Sequence, residues 1–371
     1  MLIGIPKEIK NHEYRVGATP GKVRILINAG HKVIIETNAG AKIGYPDEAY
    51  KAVGAEIGKG PEEIYEADMI IKVKEPQPSE YPLIKEGQIL FCYLHLAPDP
   101  KQTEALVKSG CVAIAYETVV DERGTLPLLT PMSEIAGRIS VQAGATALQM
   151  ANGGKGVLLG GVPGVLPANV VVIGGGIVGT HAARMAIGLG ADVTILDKSL
   201  HRLREIDVDF HFRIKTLFSS PTNIEGAVSQ ADLVIGAVLI PGKSAPKLVT
   251  LDMIKLMEKG SVMVDVAIDQ GGCFETSRPT SHSDPLYEVE GIVHYCVTNM
   301  PGACARTATE ALTSATLPYS LKIAEYGYKK ALSDDACLRP GLNVYRGKVT
   351  NEYVASDLGY DYVSPETALE I

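Results

Sequence analysis

The sequence predicts an α/β protein of two doubly wound domains, the second a Rossmann dinucleotide-binding domain inserted into a discontinuous substrate domain. Three observations predict it. A chain of 371 residues is too long for one ordinary hydrophobic core. Two separate series of short apolar runs alternate with helix-compatible segments, the pattern of mostly parallel sheets covered by helices. The turn Gly174-Gly175-Gly176-Ile177-Val178-Gly179 opens the second series directly after an apolar strand.

In the first series, Leu2–Ile5, Lys32–Ile35, Met69–Val73, Ile89–Leu94 and Val112–Tyr116 read as strands, and Val23–Ala29 reads as a helix stopped by Gly30. A break follows at Pro127–Pro131. Thr130-Pro131 suits a helix start, with Thr as cap and Pro in the first turn. That helix is expected to run to about Met150, carrying Ile135, Ile139, Val141 and Leu148, and to cross between domains. The second series has strands at Val170–Ile173, Asp192–Leu196, Ile214–Leu217, Leu233–Val238, Val262–Val266 and Val293–Val297, enough for a complete doubly wound domain. After Pro301-Gly302 a helical stretch from about Thr307 to Ala331 is expected to return to the first domain. The expected domains are residues 1–130 plus 305–371 for the substrate and 131–304 for the dinucleotide.

Composition narrows the functional classes. A net charge of −8 opposes general binding to nucleic-acid phosphates. The N-terminus meets Pro6 and Lys7 before a signal-peptide core can form. The most apolar stretch, Val157–Gly179, is broken by Pro163, Pro167, Asn169 and glycines, so it reads as a loop and a buried strand instead of a membrane span. The expectation is a cytoplasmic protein. None of the six cysteines forms a C-x-x-C pair, so reduced thiols are expected and no metal site.

The glycine turn carries the dinucleotide expectation. Gly174 permits a tight turn, Gly176 lets a pyrophosphate approach the backbone, and Gly179 lets helix and strand pack closely. The following helix offers its N-terminal N–H groups to the phosphates. The next strand ends at Asp197, 23 residues after Gly174, where a carboxylate can accept from an adenosine ribose and repel a 2′-phosphate. NAD is therefore expected over NADP, with Lys198, Arg202 and Arg204 nearby to soften the preference. Two later strand ends, Gly236–Gly242 and Val264–Gly272, should reach the same crevice, the second placing Asp269 among glycines.

The first domain offers three groups suited to a small carboxylate. Arg15 follows the first strand and can grip a carboxylate in bidentate fashion. Lys74 ends another strand in Lys72-Val73-Lys74-Glu75-Pro76, and His95 ends a third in Tyr93-Leu94-His95-Leu96-Ala97. Histidine is the usual acid/base group near neutral pH. Each has a structural alternative: a surface ion pair for Arg15 or Lys74, a satisfied buried imidazole for His95.

Over nearly its whole length the chain resembles the alanine dehydrogenases. The resemblance rests on Ile5–Arg15, Lys72–Pro76, Tyr93–Leu96, Pro131–Arg138, Gly156–Gly190, Gly236–Pro246, Asp265–Cys273 and Asn299–Ala303. It implies that Arg15 and Lys74 bind the substrate carboxylate and carbonyl, with His95 and Asp269 as an acid/base pair. It implies cofactor contacts from Ser133, Ile177, Val178, Asp197, Arg202, Ser219, Val238, Leu239, Val266, Ala267, Ile268, Asp269, Val297, Thr298, Asn299 and Met300. It also implies a homohexamer and reversible conversion of L-alanine into pyruvate and ammonium. Two segments depart from the family pattern: Asp209–Arg213 replaces a more glycine-rich stretch, and Cys304 stands where a small aliphatic residue or proline is common. Two alternatives share parts of this architecture. One is the soluble NAD-binding component of a proton-translocating transhydrogenase, the other a catalytically silent NAD-binding protein. Lys74 and His95 argue against the first, and the full set of Arg15, Lys74, His95 and Asp269 against the second.

Overall fold

The structure, a computed structural model, describes residues 1–238 and 245–371. They form two compact units, Met1–Met132 with Cys304–Ile371, and Ser133–Ala303. The strands of the first unit begin with β1 (Leu2–Ile5), β2 (Lys32–Glu36), β3 (Glu56–Gly58), β4 (Met69–Ile71), β5 (Ile89–Cys92) and β6 (Val112–Ala115). Those of the second are β7 (Asn169–Ile173), β8 (Asp192–Asp197), β9 (Lys215–Phe218), β10 (Leu233–Gly236), β11 (Val262–Asp265), β12 (Leu286–Val289) and β13 (Ile292–Tyr295). The chain then returns to the first unit for β14 (Leu342–Tyr345) and β15 (Lys348–Val349). The first unit is thus discontinuous.

The first sheet has the order β15-β14-β6-β5-β4-β1-β2-β3, with β1 to β6 parallel and β14 and β15 antiparallel at one edge. The chain builds outward from β1 through β2 to β3, then restarts at β4 on the other side of β1. The second sheet repeats this plan in the order β12-β13-β11-β10-β7-β8-β9, restarting at β10 beside β7. Each restart is a topological switch point, and ligands of such sheets bind at the carboxyl ends of the strands there.

The central strands are buried on both faces, as covered parallel sheets require. Ile89–Cys92 and Val262–Val264 are all at most 3% exposed. Each fully buried Val, Ile or Leu contributes about 1.5–3 kcal/mol. Each unit has its own core: Leu90, Leu94, Leu106 and Val344 in the first, Ile173, Val234, Ile254 and Phe274 in the second.

The structure differs from the sequence expectation mainly at the edges. The strands β3, β12, β14 and β15 fall outside the expected runs, and each is only two to four residues long. Three of them belong to hairpins whose turns, Glu290-Gly291 and Arg346-Gly347, have positive φ at both residues, the requirement of a type I′ turn. The inter-unit helix ends at Ala147, short of Met150, and Thr130 lies inside it. Its hydroxyl donates back to the Leu126 carbonyl (3.1 Å) instead of capping. The C-terminal helix, Ala305–Asp334, exceeds the expected bounds and breaks at Gly327 (φ 73°, ψ 153°). In Asp209–Arg213, His211 and Phe212 both adopt left-handed φ (50° and 61°), a conformation that glycine adopts without penalty. Among the described residues no helix is long and apolar enough to cross a membrane.

Candidate active site

In the second unit the glycine turn follows β7 at the switch point. Gly174 has φ of +106°, and a Cβ there would lie 2.7 Å from the Ala237 carbonyl oxygen. A Cβ on Gly179 would lie 1.8 Å from the Gly174 oxygen, so only glycine lets the helix Ile177–Gly188 sit this close to β7. A Cβ on Gly176 would meet nothing within 4 Å. The protein packs tightly below the turn and leaves space above Gly176, at the helix N-terminus. That is the shape and polarity a pyrophosphate needs. Gly174, Gly176, Ile177 and Val178 line a cavity of about 460 Å³ there, together with Ser133, Asp197, Ser219 and Val238. The donor set and the open side of Gly176 fit a nicotinamide dinucleotide.

Asp197 ends β8 at the cavity. Its carboxylate accepts the N–H of Gly175 and the N–H of Ser199, both at 2.7 Å, so it braces the turn it also serves. Arg202 is placed differently from the sequence expectation. Its Nε donates to the Gly175 carbonyl (2.7 Å), Nη2 to the Thr180 hydroxyl (2.9 Å) and Nη1 to Glu205 (2.7 Å). Its contribution in this structure is to hold the turn. Ser219 lines the cavity despite the altered segment upstream, because its N–H pairs with the Asp197 carbonyl (2.9 Å) as β9 ends. Leu239 lies outside the described residues.

Two further strand-end turns carry the remaining residues expected to contact the dinucleotide. Val266, Ala267, Ile268 and Asp269 form a 3-10 turn after β11 that leaves Asp269 exposed and Ala267 and Ile268 buried. Its organiser is the buried Asp265, which accepts N–H bonds from Ala267 (3.0 Å), Cys273 (2.8 Å) and Phe274 (3.3 Å) and the hydroxyl of Ser277. Burial pushes this carboxyl up against those hydrogen bonds. After β13, Val297 bridges to Thr280, the Thr298 N–H donates to the Thr280 carbonyl (3.2 Å), Asn299 takes φ of 57°, and Met300 is buried. His282 contacts the Asn299 carbonyl at 3.2 Å.

In the first unit, Arg15, Lys74 and His95 follow β1, β4 and β5, all at carboxyl ends. Arg15 is 2% exposed. Its Nε and Nη2 donate to the two Glu13 carboxylate oxygens at 2.7 and 2.6 Å, and its Nη1 meets the Met132 sulfur at 3.1 Å. Burial opposes ionisation of Glu13, but the Arg15 hydrogen bonds outweigh it and hold the carboxyl below its usual range. Lys74 is held through its backbone: Glu8 accepts the N–H of Val73 (2.7 Å) and of Lys74 (3.3 Å). Glu8 is itself backed by buried Lys72 (3.4 Å), which also pairs with Glu80 (2.8 Å). Burial pushes the Lys74 ammonium below the usual lysine range, and the Arg15 charge adds to the effect. His95 is 47% exposed, so it is no buried structural imidazole. Its ring stacks on Tyr93 (centroids 5.9 Å apart, 10° between planes).

The sequence reading gave no role to Glu8, Glu13, Asp265 or Glu117. Glu8 and Glu13 both precede Arg15 on the same loop, a spacing that alone distinguishes nothing from a solvated charged surface. Among the described residues no three His, Cys, Asp or Glu side chains gather as a metal site.

With this geometry in place, the comparisons with known proteins agree along the chain. Residues 4–136 match the alanine dehydrogenase/PNT N-terminal domain and residues 140–352 the alanine dehydrogenase/PNT C-terminal domain. The alanine dehydrogenase of Bacillus subtilis is 57% identical over 371 residues, covering 100% of this chain and 98% of that protein. That of Halomonas elongata is 55% identical over 364 residues, 98% of each. A solved L-alanine dehydrogenase superposes with a TM-score of 0.95 at 53% identity, covering 97% of this chain and 99% of the other. A transhydrogenase from Sinorhizobium meliloti shares the fold, with a TM-score of 0.82 at 24% identity over 95% of this chain and 99% of that one. Two full domains in the same order, and relatives more than half identical over the whole length, leave one conclusion: the chain belongs to the alanine dehydrogenase/PNT family.

Proposed function

We propose that this protein is an alanine dehydrogenase catalysing L-alanine + NAD⁺ + H₂O ⇌ pyruvate + NH₄⁺ + NADH + H⁺. The observation that carries the reading is the convergence of Arg15 and Lys74 at the switch point of a sheet, on a chain whose other sheet carries a dinucleotide cradle. Arg15 and Lys74 hold the substrate carboxylate and carbonyl side, which fixes the reacting geometry. The bound dinucleotide supplies the hydride acceptor in deamination and the donor in amination. His95, with Asp269, removes a proton from the alanine ammonium group and moves the protons of the water that replaces nitrogen at the α-carbon. Asp197 favours NAD because its charge opposes a 2′-phosphate. By family resemblance the working form is a homohexamer in the cytoplasm.

The test is alanine-dependent reduction of NAD⁺ and its reverse, ammonium-dependent oxidation of NADH by pyruvate. Both should proceed, and His95→Ala should lower kcat in both directions by roughly 10²–10⁴ while NADH still binds. A transhydrogenase component or a silent NAD-binding protein would bind NADH and turn over no alanine. That result would overturn the proposal.

A further inference from the structure

Glu117 lies beside His95 in the first unit, and the steps above leave it unused. It sits in the 3-10 turn Tyr116–Thr118 that ends β6, the neighbour of β5 in the sheet. Its Oε1 accepts the N–H of His95 at 2.6 Å and that of Leu94 at 3.1 Å, with Oε2 at 3.2 Å from the latter. The same Oε1 lies 3.9 Å from His95 Nδ1. Glu117 is 14% exposed, whereas the imidazole it approaches is 47% exposed.

The backbone explains why a holder is needed. His95 has φ of 48°, the left-handed region that non-glycine residues seldom adopt. That conformation turns the imidazole out of the strand direction. Leu94, fully buried, has no water for its N–H, so the carboxylate is the partner that lets the chain turn here. Tyr93 covers one face of the ring and is itself fixed by its hydroxyl to the Leu128 carbonyl (2.5 Å) and by edge contact with Tyr116. The imidazole thus has an aromatic ring at one face, and its Nδ1 edge lies 3.9 Å from the carboxylate that holds its backbone.

We propose that Glu117 is the positioning residue of His95. Its carboxylate fixes the left-handed turn that presents the imidazole and offsets the positive charge the ring gains on taking a proton. A catalytic base oriented by a third group is a recurrent arrangement. The inference rests on the reading of His95 as the acid/base group. Opposite charges about 4 Å apart in water-like surroundings are worth about fivefold in rate, and more where the site is drier. Loss of the backbone clamp adds to that, so removing the carboxylate should cost roughly 10- to 100-fold in kcat.

The experiment is a double-mutant cycle on the full-length protein: wild type, Glu117→Gln, Glu117→Asp, His95→Ala, and His95→Ala with Glu117→Gln. The readouts are kcat, KM for pyruvate, the NADH dissociation constant and Tm. Glu117→Gln should lower kcat roughly 10- to 100-fold, with KM and NADH affinity within about threefold of wild type. In the His95→Ala background it should cost less than about threefold more, because a group acting through His95 has nothing left to act on. Glu117→Asp keeps the charge and should recover part of the rate. Equal losses in both backgrounds, or native kcat in Glu117→Gln beside a crippled His95→Ala, would overturn the inference and leave the acid/base reading standing. A near-native His95→Ala enzyme would remove both. Should Glu117→Gln fail to fold, Glu117→Asp enters the same cycle: a rate loss confined to the His95 background supports the inference, and an equal loss in both overturns it.

Discussion

Two glycines three residues apart should respond oppositely to the same methyl group. A Cβ on Gly179 would sit 1.8 Å from the Gly174 carbonyl oxygen, so strand and helix must separate by well over 1 Å. Gly174 cannot give way easily: its N–H is tied to the Leu196 carbonyl at 2.8 Å, and its other side faces the Ala237 carbonyl. Gly179→Ala should therefore cost at least the ~1–3 kcal/mol typical of overpacking, or about 2–12 °C in Tm for a unit of this size. A Cβ on Gly176 meets nothing within 4 Å, and its backbone (φ −69°, ψ −165°) is extended and open to alanine. The cost of alanine as a helix cap, about 1 kcal/mol at most, is offset by the roughly 0.4–1 kcal/mol gained from a stiffer unfolded chain. Gly176→Ala should melt within about 2 °C of wild type yet bind NADH at least ~10-fold more weakly, because its methyl fills the path of the pyrophosphate. Calorimetry and fluorescence titration of both variants decide the matter. A Gly176→Ala protein with native NADH affinity, or equal Tm losses in the two variants, would refute the assignment of this turn.

Two further outcomes follow from the charges. Lys74 has a lowered pKa, so it is charged below that value and neutral above it. The KM for pyruvate should be flat near neutrality and rise in alkaline solution earlier than an ordinary lysine, near 10.4, would allow. Lys74→Arg keeps its charge and should abolish the rise; a wild-type KM unchanged up to pH 10 would contradict this. Asp197 should favour NAD over NADP by about fivefold or more, the value of one like-charge contact near 4 Å in water. Asp197→Ser should narrow the ratio and weaken both cofactors, since it also releases the N–H groups of Gly175 and Ser199. Equal wild-type kcat/KM for the two cofactors would end that argument.

The parts legible in the sequence share a local signature. A buried parallel strand is a short apolar run, and β1, β5, β7 and β11 announce themselves that way. The glycine turn is legible because each of its three glycines answers a separate steric demand. Arg15, Lys74 and His95 are legible as candidates because strand ends at a switch point are where ligands bind. The groups that orient them are not. Glu117 touches His95 from the next strand, 22 residues on, and Glu8 reaches Val73 and Lys74 across 65 and 66. Such pairings depend on strand order, which no single spacing reveals. The bonds of Arg202 were illegible for a related reason: its guanidinium is engaged by oxygens of the turn, 22 and 27 residues away in sequence.

The charge arrangement around Arg15 explains how a buried cation can bind an anion. A lone guanidinium with 2% exposure would be strongly destabilising. Glu13 compensates it by taking the Nε and Nη2 edge in bidentate fashion. Two observations suit the proposed role of Arg15 toward a substrate carboxylate. Nη1 meets a thioether sulfur, a weak acceptor that a carboxylate oxygen outcompetes. Burial first, and the Arg15 charge after it, hold Lys74 below the usual lysine range, so an anion beside it would favour its charged form. In the proposed complex an incoming carboxylate would accept from Arg15 Nη1 and favour the charged form of Lys74. Glu8 holds the Lys74 backbone while spending its charge on Lys72, so it fixes the position of Lys74 without neutralising it.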